Sequence, residues 1–206
     1  MSAIIIRGAE FSDLPYFYEI CLKTGDAGND ASGLFYDPYI IGQYYAAPYL
    51  FFERDLCFVA EIDGVPQGYV IGASDTFAFN KWLESEWLPP LRRRYQNYPH
   101  EKIKTDVEKN IATLFYKKFD PAGEAARPLY KTHPAHLHID LLPSLQGKGQ
   151  GRTLMETLFA ALAKKSVCGV HLGVSRTNAG AIAFYRKMGF ASLKEEVWGL
   201  VMGAYI

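Results

Sequence analysis

The chain has 206 residues, 49% hydrophobic and 21% charged, with 22 basic and 22 acidic side chains. That is a globular composition, enough for one sizeable core or two small ones. A formal net charge of zero sets up no global field for nucleic acid or an anionic membrane, and no apolar run approaches the ~20 residues that span a bilayer. Cys21, Cys57 and Cys168 are scattered, each in an apolar run, and read as small core residues. With no signal peptide at the start, they suit a reducing cytoplasm. Aromatic residues make up 15% and tyrosines number 14, which favours a surface rich in pockets or interfaces.

In chain order, Ala3 to Arg7 is a β-branched strand. Ser12 can cap a helix from Asp13 to Lys23, with Leu14, Phe17, Tyr18 and Cys21 on one face. A small, polar loop from Thr24 to Gly33 follows, carrying Asp26 and Asp30. Leu34 to Phe52 is crowded with aromatics and reads as a helix and turn packed over a sheet. Leu56 to Ile62 and Pro66 to Ser74 flank Asp63-Gly64, the strongest short hairpin signal in the chain. Between Asp75 and Thr132, helices are expected over Thr76 to Leu88 and Lys102 to Phe119, separated by Pro89-Pro90 and by Arg92-Arg93-Arg94, a solvated face. This segment, 75–132, reads as an insertion within one domain of 1–206. The last strands are Ser192 to Val197 and Leu200 to Tyr205. Helices alternating with strands in mid-chain, and hairpins at both ends, give a mixed α+β sheet covered by helices.

The stretch 136–190 organises the rest. His136 to Leu142 is a short buried strand ended by Pro143. Gln146-Gly147-Lys148-Gly149-Gln150-Gly151 follows, then an amphipathic helix from about Arg152 to Lys165. Alternating glycines let backbone N–H groups turn toward one point, and the helix N-terminus favours an anion there, typically a phosphate. Lys148 and Arg152 add positive charge. The spacing is neither a P-loop nor the dinucleotide fingerprint. Gly169 to Ser175 is a further strand, and Asn178 is a good helix N-cap. Tyr185 lies two helical turns after Asn178 and faces the same side. Asp140 stands inside an apolar strand, where a carboxylate is costly unless paired or functional. Strand alternation puts it on one face with His136 and His138.

Gln146, Gly149 and Gly151 resemble the pyrophosphate loop of the GNAT acyltransferases, and Asn178 to Phe190, NAGAIAFYRKMGF, is similar to that family's N-x-x-A-x-x-F-Y-x-x-x-G-F segment. The resemblance implies a mixed sheet splayed between its fourth and fifth strands, acetyl-CoA as donor and a small-molecule or peptide amine as acceptor. It implies pantetheine pairing with the strand near Ile139, Leu141 and Leu142. The pyrophosphate would lie on Gln146, Gly147, Lys148, Gly149, Gln150, Gly151 and Arg152, with Asn178 on the pantetheine arm and Phe184 on the core or cofactor. Tyr185 would be the acid that protonates the departing thiolate. Asp140 is the first candidate for the base, and His138 is the second or its partner. By the same resemblance the loop from Thr24 to Gly33 lines the acceptor side, where Asp26 and Asp30 are remoter candidates for holding a cation. A narrower similarity, TGDAGNDASGLFYDPYIIGQYYAAPYLFFERDLCFVAEIDGVPQGYVIG, is to the acetyltransferase-like domain of O-GlcNAcases and its stand-alone bacterial homologues. The expected function is acetyl-CoA-dependent N-acetylation by direct attack in a ternary complex. The alternatives are a module that binds acetyl-CoA or a protein without turnover, and a nucleotide-binding module of another class. No metal, nucleic-acid or membrane site is expected; the aromatic segment and the insertion could each support a homodimer.

Overall fold

A computed structural model describes residues 3–206. Its centre is a seven-stranded sheet in the order β1-β2-β3-β4-β5-β7-β6. The strands are β1 Ile4–Gly8, β2 Cys57–Ile62, β3 Val65–Ala73, β4 Ala135–Leu141, β5 Gly169–Ser175, β6 Ala191–Glu195 and β7 Gly199–Tyr205. All neighbouring pairs are antiparallel except β4 and β5, which run parallel. The hairpin between β2 and β3 turns through Asp63 and Gly64, both at positive φ (52° and 80°). That is the backbone twist a two-residue hairpin needs.

Helices cover both faces. On one lie α1 Leu14–Thr24, α2 Ile40–Tyr45, α3 Ala47–Phe52 and the helices between β3 and β4. Their core includes Phe17, Ile20, Leu50, Tyr69 and Ile71, all at most 1% exposed. Sinking each such side chain removes apolar surface worth roughly 1.5–3 kcal/mol. On the other face α9 Gln150–Lys164 and α10 Ala179–Lys187 pack Leu154, Met155, Leu158 and Tyr185 against Val70, Leu137 and Val170.

Three expected boundaries differ. Ser12 does not cap the first helix: that helix begins at Leu14, and it is Asp13 that is fixed, accepting from the Glu10 N–H and paired with Arg7 at 2.7 Å. Nor do Pro89 and Pro90 break the inserted helix. It runs from α4 Thr76–Trp82 through a wider π turn, Leu83–Trp87, into α5 Leu88–Tyr95. The prolines sit in the first turn of α5, where a missing N–H costs least, and the π turn takes up the register change. The expected second helix, Lys102 to Phe119, is shorter, α6 Asp106–Leu114, and two short helices not expected follow it, α7 Pro121–Ala125 and α8 Pro128–Thr132. Arg92 is not merely solvated; it forks onto both oxygens of Glu84 at 2.8 and 2.6 Å.

Candidate active site

β4 and β5 are paired at only two positions, Ala135 with Val170 and His136 with His171. Beyond them the strands diverge, so the sheet opens toward the C-terminal ends of both. Against β3, the Leu142 N–H reaches Gln67 O at 2.9 Å. Hydrogen bonding alternates along an antiparallel pair, so residues 138 and 140 also turn their backbone groups to β3. Ile139 and Leu141 turn theirs into the opening, while Leu137 still faces His171 on β5. Leu142, expected to pair with the cofactor, is thereby corrected: its N–H is committed to Gln67, and its carbonyl accepts from Leu145 N.

At the open end lies the glycine loop. Gln146 Nε2 donates to Leu141 O at 2.8 Å, which pins the loop to the strand. Gly147 and Gly149 take φ of 70° and 77°, and a Cβ on either would meet open space. Their freedom from a side chain therefore serves backbone shape. Gly151 is different, because a Cβ there would meet the Phe184 ring at 3.3 Å; it lets α10 close on α9. Among the described residues, none accepts from the N–H groups of Gly147, Lys148, Gly149, Gln150 or Gly151. Five successive free donors at a helix N-terminus make an anion cradle. This cradle and the free edge of β4 fit a phosphate-bearing thioester cofactor.

Near the closed end of the opening is a cavity of about 160 Å³, walled by Tyr44, Tyr45, Tyr49 and Phe79 and reached by His136, His138 and His171. His136 is fully engaged. Thr76 Oγ1 gives its proton to Pro134 O at 2.6 Å. It therefore accepts from His136 Nδ1 at 2.9 Å, leaving His136 Nε2 to accept from Tyr49 Oη at 2.8 Å. His171 Nδ1 donates to His133 O at 2.8 Å, so its Nε2 carries the lone pair. His138 makes edge contacts to Tyr45 and Tyr49, and no described side chain or backbone group bonds its ring nitrogens. Burial pushes the His138 imidazole down to about 4. Burial does the same to His136, well below the usual value, helped by His171 and His138, and lowers His171 as well. All three rings are neutral near pH 7.

Asp140 does not line the cavity. It sits one residue pair further along the same face of β4, and its Oδ2 accepts from Tyr69 Oη at 2.6 Å. Burial raises its pKa, partly offset by that hydrogen bond. Tyr185 packs among Phe184 and Phe190; its hydroxyl bonds no other described residue and, since no fully buried side-chain polar atom is left unpartnered, it keeps some exposure. Burial, then the nearby charge of Asp140, pushes its phenol up, so it stays protonated. Asn178 Oδ1 accepts from Ala181 N at 3.0 Å, capping α10. A Cβ on Gly28 would lie 3.7 Å from Asn178 Nδ2, so the loop after α1 reaches the α10 terminus. In that loop Asp30 is already paired with Lys23 at 2.8 Å.

Sequence reading missed His171, Thr76 and Phe79. Only His171 left a signal, a polar ring within an otherwise apolar strand.

The chain matches the sequence profile of the acetyltransferase (GNAT) family over residues 27–190. It is 34% identical to the protein of the crystal structure of SsHAT, over 98% of each chain, with a TM-score of 0.88. The ribosomal-protein-S18-alanine N-acetyltransferase of Escherichia coli is 18% identical over 99% of this chain and 94% of that one, with a TM-score of 0.53. The PaiA N-acetyltransferase of Thermoplasma acidophilum, solved in complex with coenzyme A, is 14% identical over 99% of both chains, also with a TM-score of 0.53. The last two show shared fold alone. The chain belongs to the acetyltransferase (GNAT) family. It is an acetyltransferase, and its donor is acetyl-CoA. Among the described residues no helix is long and apolar enough to cross a membrane.

Proposed function

We propose that residues 1–206 act as one N-acetyltransferase unit that moves the acetyl group to a primary amine by direct attack, with donor and acceptor bound together. The observation that carries this reading is continuity. The amide cradle, the free edge of β4 and the histidine cavity follow one another along a single opening in the sheet.

Acetyl-CoA supplies an activated acetyl thioester when bound. The N–H groups of Gly147 to Gly151, with Lys148 and Arg152, hold the pyrophosphate, and Gln146 keeps the loop in place for them. Ile139 and Leu141 would offer backbone groups to the pantetheine amides, with Asn178 and Phe184 beside them. His138 is the base: its neutral, unpartnered ring opens on the cavity and can take the amine proton. Asp140 is instead tied to Tyr69. Tyr185 Oη holds the proton for the leaving sulfur, since a phenol kept protonated is a ready acid.

Calorimetry with acetyl-CoA tests the donor site, wild type beside Gly149→Trp, with melting curves on both. Saturable wild-type binding that the folded variant lacks supports the cradle. No wild-type binding overturns the reading.

A further inference from the structure

The acceptor cavity has a chemistry of its own. No carboxylate is among its lining residues. The carboxylates expected to hold a cationic acceptor lie elsewhere: Asp30 is paired with Lys23, Asp140 is bonded by Tyr69, and Asp26 does not reach the cavity. The lining also carries the uncharged hydroxyls of Tyr44 and Tyr45 and the Asn80 amide; the ring-nitrogen acceptors it presents to a guest are the lone pairs of neutral histidines, His138 and His171 Nε2. These accept N–H donors but do not neutralise a charge. A desolvated ammonium with no anionic partner is costly, and burial already keeps the resident imidazoles uncharged. The walls are rings, Tyr44, Tyr45, Tyr49 and Phe79. The volume is about 160 Å³, close to the ~150 Å³ of an apolar cavity that takes up benzene.

We propose that the acceptor is a weakly basic arylamine, one ring in size, whose nitrogen enters uncharged. This rests on the acetyltransferase reading above and names its substrate class. The ring stacks among the aromatic walls, where such pairs add ~0.5–1.5 kcal/mol beyond burial. The amine N–H groups donate to His138 and His171. The nitrogen lone pair forms the amide bond to the acetyl carbon while the thioester C–S bond breaks and its electron pair leaves on sulfur. One amine proton passes to His138, and the sulfur leaves as thiol with the proton of Tyr185. The imidazolium then returns the proton to the phenolate through solvent, so acetyl-CoA and the arylamine give N-acetylarylamine and coenzyme A. Lysine ε-amines, with a pKa near ~10.4, are almost wholly charged at pH 7 and are disfavoured by the same site.

Thiol release should be followed with acetyl-CoA and four acceptors: 4-methoxyaniline, benzylamine, spermidine and a lysine-containing peptide. At pH 7, 4-methoxyaniline is expected to exceed each of the others in kcat/KM by at least ~10-fold, or about 1.4 kcal/mol of discrimination. The gap to benzylamine should shrink as pH rises toward 9 and its free base grows. Leu83 also lines the cavity, so Leu83→Ala should raise kcat/KM for 1-aminonaphthalene relative to 4-methoxyaniline by about 10-fold. A preference for spermidine, benzylamine or the peptide overturns the inference and leaves the acetyltransferase reading intact. So does an unchanged ring-size ratio in a folded Leu83→Ala. If the protein binds acetyl-CoA yet acetylates none of these amines, the arylamine inference falls. If it binds no acetyl-CoA, the parent reading falls with it.

Discussion

Tyr69 on β3 donates its phenolic proton to Asp140 on β4, Oη to Oδ2 at 2.6 Å, from a side chain with no exposed surface. The pair sits where the β3–β4 ladder meets the opening between β4 and β5, so it links the rigid half of the sheet to the candidate site.

Removing that donor leaves a buried carboxylate short of a partner. Tyr69→Phe should lower stability by about 1.5–3 kcal/mol, the range for a hydrogen bond to a charged group. In an Asp140→Asn background the same change should cost less, and denaturant titration of the four proteins reads the coupling. The pH dependence has a definite sign. Asp140's folded pKa is raised by burial. Its contribution to stability is therefore present below the ordinary carboxylate range and is lost as pH rises through the raised value. Relative to wild type, Asp140→Asn should gain stability between pH 4 and pH 8.

His138 moves the other way. Its pKa falls from 6.5 unfolded to about 4 folded. The unfolded chain then binds the extra proton first, so stability is complete above pH 6.5 and is lost as pH falls toward 4. The difference in melting temperature between wild type and His138→Gln should shrink, then reverse, over that interval. The same variant should lose ~10²–10⁴ in kcat with acetyl-CoA binding unchanged, the usual range for a positioned base.

Tyr185→Phe keeps the ring that packs on Phe184 and Phe190 and deletes only a hydroxyl that bonds no other described residue. Folding should be unaffected. Turnover should fall by ~10²-fold or more with the KM for acetyl-CoA unchanged. Unaltered kcat would remove Tyr185 from the acid role.

The insertion is anchored by one buried carboxylate. Glu108 accepts from Tyr36 N, Asp37 N, Tyr98 Oη and Lys104 N, and has no exposed surface. Burial alone would raise its pKa, but these hydrogen bonds, Tyr98's first, outweigh it and hold the carboxyl low. Glu108→Ala strands four donors at once and should cost ~3–5 kcal/mol. In wild type the contribution of this group is present above the ordinary carboxylate pKa and is lost as pH falls through its lowered folded value. Urea midpoints at pH 7 and pH 4 check both.

Much of this was legible in the sequence because it depends on neighbours along the chain. The hairpin at Asp63-Gly64, the strand from Gly169 to Ser175 and the Asn178 cap follow from backbone conformations that few residues accept. The glycine loop declared an anion cradle for the same reason. Where the reading failed, a non-local partner had intervened. Asp13 is held by Arg7 from β1, so Ser12 is left out of the cap. Pro89 and Pro90 start a new helix because a π turn ahead of them absorbs the break.

By itself the sequence determined the mixed sheet, the donor loop and the two motifs that assign the chain to its family. Each is set within a few residues by φ preference, hydrogen-bonding capacity and apolar period. Only the tertiary structure decided which side chains share the histidine cavity. His138 and Asp140 lie on one strand face, and alternation alone cannot rank them. The ranking comes from Tyr69, 71 residues before Asp140, which occupies the carboxylate, and from Tyr45 and Tyr49, which wall His138 into a cavity without bonding its nitrogens. Burial then sets the charge of each group, and burial is a property of the packed molecule that no local stretch of sequence carries.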